Sequence, residues 1–179
     1  MVNPMNVYIK QLASAARESC AEKRIIVEPQ YKLNYNTIKK IITYFKGELK
    51  KFDSEDEMRG SYPSCRGNSF MKKTSEDTFM IGYVNFVVMD ILHELGHVFL
   101  ELDTMRIGDI RSCNDIDGGI NEIGAAKFAR AFLFPSPLFE RTVINHSISG
   151  SCDVQAVAKI FGTDSLQIIS YGRESYLWE

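Results

Sequence analysis

The chain has 179 residues, 45% of them hydrophobic and 11% aromatic. That suffices for one domain with a buried core and excludes disorder and fibre-forming repeats. A formal net charge of −2, from 21 basic and 23 acidic residues, argues against a dedicated binder of nucleic acid or anionic membranes, since either needs a basic footprint.

In chain order, Asn3 followed by Pro4 reads as a helix start, and Met5, Ile9, Leu12, Ala15 and Ala16 recur at helical spacing to about Ser19. Residues 24–27, a β-branched run closed by Glu28 and Pro29, read as a short strand. From Asn36 onward, Ile38, Ile41, Ile42, Phe45 and Leu49 share one helical face, with Lys39, Lys40, Lys46, Lys50 and Lys51 as its solvated side. Residues 54–68 are polar, carry Gly60, Pro63 and Gly67, and read as loop. Residues 69–72 and 78–84 follow as two strands with a turn between them.

Asn85 is the expected cap of the next helix, which runs from Phe86 to about Leu102. It is apolar almost all round, so it belongs at the centre of the molecule. The exceptions, Asp90, His93, Glu94, His97 and Glu101, recur at steps of three and four and form one stripe. Residues 103–119 read as irregular. A helix is expected from Ile120 or Asn121 to about Phe134, stopped by Pro135. Short helices finish the chain, one over 153–161 with Gly162 as its stop. Short strands among helices predict an α+β domain, a small β-sheet packed by helices around a central active-site helix. One domain over 1–179 is expected, with 86–135 as its metal-site core and 136–179 as a helical C-terminal part.

Cys20, Cys65, Cys113 and Cys152 lie far apart without a C-x-x-C pair, which fits reduced thiols in a cytosol. Residues 1–10 lack the basic start and apolar run of a secretory signal. The longest apolar stretch is broken by charged groups and cannot span a membrane. A cytoplasmic location and no membrane partner are expected.

His93-Glu94-Leu95-Gly96-His97 is an H-E-x-x-H motif on a helix. Residues four apart lie one above the other, so both imidazoles can reach one metal ion while Glu94 stands beside it. Zinc in a hydrolytic site keeps three protein ligands and one position for water. Glu94 is then the general base that takes that water's proton. Burying the stripe without a partner would cost several kcal/mol, which favours a metal over a pair of satisfied core histidines. The third ligand is open at this point: Glu122 in the first turn of the next helix, or Asp103, Asp115, Asp117 or His146. The group that stabilises the oxyanion is equally open among His146, Tyr171, Tyr83 and Arg130.

His93 to His97, followed by Glu122-Ile123-Gly124-Ala125-Ala126-Lys127-Phe128-Ala129 and Leu133-Phe134-Pro135, resembles the ImmA/IrrE family of intracellular metallopeptidases. That family pairs H-E-L-G-H with a later helix reading roughly E-x-x-A-N-x-F-A and then Leu-x-Pro. The resemblance covers residues 86–135 and, more weakly, the helices at 154–170. It departs at Ala126, where Asn is usual, and at Glu101, where His is common. It implies a zincin-like domain holding Zn2+ on His93, His97 and Glu122, with Glu94 catalytic. It also implies a protein substrate, a helix-turn-helix repressor or an antitoxin, cut to relieve repression. A second reading is a zinc-bound module that sequesters such a partner without cutting it. A third, DNA binding by a helix-turn-helix at 154–170, is disfavoured because residues 164–171 hold no Arg or Lys.

Overall fold

The computed structural model describes residues 4–27, 32–112 and 119–175. Its elements are α1 (Pro4–Glu22), α2 (Tyr35–Tyr44), β1 (Gly47–Lys51), α3 (Glu55–Ser61), β2 (Ser69–Lys73), β3 (Phe79–Tyr83), α4 (Val88–Glu101), β4 (Ile110–Ser112), α5 (Ile120–Leu133), α6 (Ser136–Asn145), β5 (Ser147–Ile148), β6 (Ser151–Cys152), α7 (Val154–Phe161) and α8 (Ser165–Glu174). The α+β expectation holds. No helix among the described residues is long and apolar enough to cross a membrane.

The main sheet has the order β1-β3-β2-β4, with β1 parallel to β3 and the other pairs antiparallel. Successive strand residues face opposite sides. Met71, Phe79, Ile81 and Tyr83 accordingly join the large core beneath α4, while Phe70 and Met80 join Phe52, Met58 and Cys65 in a smaller cluster under α3. The register sets Ser69 opposite Tyr83 and Met71 opposite Arg111. Ser69, Lys73 and Arg111 thereby share the face that carries α4. Lys73, buried on that face, donates to the carbonyls of Leu102 and Met105 at 2.9 and 3.0 Å, placing a cation at the C-terminal end of α4 where the helix dipole favours it.

The central-helix expectation also holds: Ile91, Leu92 and Leu95 are fully buried and α4 packs against α5, β2, β3 and α2. The approach of α4 to α5 depends on Gly96. A Cβ there would lie 2.8 Å from both the Cα and the carbonyl oxygen of Ala125, which is backbone and cannot swing aside. Gly96→Ala is therefore expected to force the two helices apart. Overpacking of this kind costs about 1–3 kcal/mol, more than the roughly 1 kcal/mol that alanine gains in helix propensity. The check is a lowered thermal midpoint together with weakened metal binding, because α5 carries Glu122.

Several local expectations are corrected. Residues 24–27 form no strand: the amides of Ile25 and Ile26 bond back to the carbonyl of Cys20, with Arg24 at φ 56°, so they wrap the end of α1. The second helix starts one residue early and stops at Tyr44; Leu49, Lys50 and Lys51 belong to β1 instead. The loop at 54–68 contains α3, and the stretch at 103–119 contains β4. Asn85 does not cap α4, whose N-cap is Val87 without a side-chain hydrogen bond. Asn3, Pro29, Cys113, Asp115 and Asp117 lie outside the described residues. Gly162 does end α7, in the left-handed conformation at φ 69°.

Candidate metal centre

His93 and His97 project from consecutive turns of α4, and Glu122 enters from the first turn of α5. The Nε2 atoms of the two histidines are 3.1 Å apart. Glu122 brings Oε2 to 3.1 Å from His93 Nε2 and Oε1 to 3.0 Å from His97 Nε2. Among the described residues, these three form the one group of His, Cys, Asp or Glu side chains able to share a metal ion. Ligand atoms arranged tetrahedrally about 2.0–2.1 Å from zinc stand about 3.3 Å from each other, and the observed triangle is close to that size.

His97 shows why the cluster calls for a cation. Its Nδ1 lies 2.6 Å from Glu101 Oε2, and a carboxylate accepts only, so Nδ1 carries the proton. In the neutral ring Nε2 is then a lone pair, aimed at a carboxylate oxygen and a second imidazole nitrogen. A proton satisfies one side of that triangle at a time, whereas a divalent cation satisfies all three. The charges agree. Burial pulls the His97 pKa down, but the Glu101 hydrogen bond and the carboxylates of Glu94, Glu122 and Glu101 outweigh it and leave it raised. Burial, then His97, then Arg130 push His93 down to about 4. Its ring is therefore neutral at pH 7, as a ligand must be.

Around the triangle stands a supporting network. Burial raises the Glu101 pKa, but hydrogen bonds from His97 and Arg111 and their charges pull it down to about 2. Its Oε1 accepts from Arg111 Nε on β4 and from Asn121 Nδ2 on α5, each at 3.0 Å. Glu101 thus ties α4, α5 and the sheet to the orientation of one imidazole. Glu94 is fully buried, and its Oε1 accepts from Ser69 Oγ on β2 at 2.8 Å. Asp90, half-buried one turn before His93, has its carboxyl raised by burial.

The expected ligands His93, His97 and Glu122 are brought together, with Glu94 on the same helix. Of the alternatives, Asp103 is exposed, and His146 caps α6 with Nδ1 2.9 Å from the Thr142 carbonyl. Of the supporting residues, Glu101 stands in the polar stripe without an assigned role, and Ser69 and Arg111 were missed. Glu101 lies four positions after His97, the spacing at which helical side chains meet, so its role was detectable. Ser69 and Arg111 carry no such local signal, since strand register alone aims them at α4. Glu101→Gln is expected to weaken metal affinity by roughly 10–100-fold, the usual cost of losing a carboxylate behind a ligating histidine; competition titration against a chelating dye measures it. Compared with family models, curated proteins and solved structures, the chain matches none.

Proposed function

We propose that this chain is a zinc-dependent endopeptidase with a zincin-like arrangement, and that it acts on a helix-turn-helix repressor or an antitoxin to relieve repression. The observation that carries the reading is the convergence of His93 Nε2, His97 Nε2 and Glu122 within 3.0–3.1 Å of one another beside a buried Glu94. Two imidazoles and a carboxylate suit zinc. The resemblance at 86–135 to ImmA/IrrE peptidases supports the substrate class.

His93, His97 and Glu122 would hold the ion, which when bound supplies a Lewis acid and a water acidified to a pKa of about 7. Glu94 is placed to take a proton from the attacking water and to deliver it to the departing amine. Ser69 fixes one oxygen of Glu94, so the carboxylate keeps its place through both transfers. Glu101 holds His97 in the tautomer that keeps Nε2 free for the ion. The test incubates the purified protein with candidate helix-turn-helix repressors and antitoxins, with and without a zinc chelator. Fragments that appear only in the zinc-replete reaction support the reading; an intact partner in both reactions rejects it.

A further inference from the structure

Of the four groups able to steady an oxyanion, three are engaged elsewhere. His146 bonds the Thr142 carbonyl. Tyr171 is buried against Phe134 and Phe139 with its hydroxyl on Ser175. Tyr83 is buried and hydrogen-bonded to Tyr35. Arg130 differs. Its side chain is 15% exposed, and Glu174 of α8 grips it through Nε and Nη2, at 3.1 and 2.5 Å. A guanidinium has five N–H donors in a rigid fork. Two are used, so three remain without a partner among the described residues.

Arg130 stands about two turns beyond Glu122 on α5. Glu122, Ala126 and Arg130 recur every four residues and so share one edge of the helix. On that side Asn121 meets Glu101, while Glu122 meets His97 and His93, so α5 advances toward the N-terminal end of α4. Ala126, standing between Glu122 and Arg130, has only a methyl group to place in the intervening space.

We propose that the Arg130 guanidinium binds the carbonyl oxygen of the peptide under attack and stabilises the negative charge that collects there, with Glu174 as the residue that positions it. The proposal rests on the peptidase reading. In that step the water oxygen bonds to the carbonyl carbon as Glu94 takes its proton, and the carbonyl π pair moves onto the oxygen facing Arg130. The pair then returns, the C–N bond breaks, and the amine leaves with the proton from Glu94. Arg130 gains or loses no proton; it supplies fixed N–H dipoles and charge where the oxyanion forms.

The test measures zinc content and the binding of two probes to the zinc-loaded protein: a phosphinic tripeptide, which presents a tetrahedral anion, and the same tripeptide with an ordinary amide. Arg130→Gln is expected to weaken the phosphinic probe by about 100-fold or more, the usual worth of one oxyanion donor. Zinc content should stay unchanged, and amide-probe binding should fall far less than phosphinic-probe binding, because a neutral carbonyl oxygen draws less on the donor than an oxyanion does. Glu174→Gln keeps the guanidinium and should weaken the phosphinic probe far less. Arg130→Lys, which keeps a charge without the fork, should fall between and guards against misfolding of the glutamine variant. Equal losses in Arg130→Gln and Glu174→Gln, or loss of zinc in Arg130→Gln, would overturn the proposal and leave Arg130 as a tie between α5 and α8. The probe pattern reports on Arg130, whereas partner cleavage by the unaltered protein reports on the peptidase reading, so either can fail visibly without the other.

Discussion

Glu94→Gln is expected to retain stoichiometric zinc and bind the partner normally while cleavage falls by roughly two to four orders of magnitude, the usual worth of a positioned general base. Glutamine matches glutamate in size, and its amide oxygen can still accept from Ser69. Glu94 is outside the ligand triangle, so the metal has no reason to leave. The amide cannot take a proton from water at neutral pH, and that is the one function removed. Partner cleavage on a gel is read beside derepression of the partner's promoter. A variant that derepresses as well as the unaltered protein, with the partner uncut in both, would reject the enzymatic reading in favour of a zinc-bound module that sequesters its partner.

Removing the metal is expected to cost the fold itself. A ligand that binds only the native state stabilises it by about 4 kcal/mol at a thousandfold excess over its Kd. For a chain of this size each kcal/mol shifts the thermal midpoint by about 2–4 °C. Chelation should therefore lower the midpoint by roughly 10 °C. His97→Ala removes a ligand and is expected to melt where the chelated protein melts, with no response to added zinc. A midpoint unchanged by chelation, or a His97→Ala variant that still carries one zinc per chain, would reject the cluster as a metal site.

Helix α4 was legible because its signal is local: a stripe of polar residues at helical spacing on an otherwise apolar segment. Glu122 was legible as one option, and tertiary packing selected it. β1 was hidden because Gly47-Glu48-Leu49-Lys50-Lys51 lacks β-branched residues and Leu49 continues the phase of α2. Pairing with β3, rather than propensity, makes it a strand. α3 could have been found. Ser54 accepts from the Glu57 amide at 3.2 Å, and Glu57 accepts in turn from the Asp53 amide at 2.7 Å. This local pairing follows the Ser-x-x-Glu spacing of a helix start. β4 has three residues and takes its conformation from β2, so nothing local could announce it.

The contact at Gly96 also governs how this sequence can drift. At Gly82 an added methyl would meet the ring of Phe70, and at Gly47 mainly the ring of Phe79. Trimming either ring makes room, so a paired exchange of small for large can cross that barrier. Gly96 faces backbone atoms of Ala125, and no change of side chain on α5 moves a carbonyl oxygen. Even glycine at 125 would leave the two 2.8 Å approaches in place. Positions 47 and 82 can thus covary with their neighbours, while position 96 has no second-site suppressor among single side-chain replacements at its contact. In a library randomised at all three, 96 should return glycine alone wherever metal binding is selected.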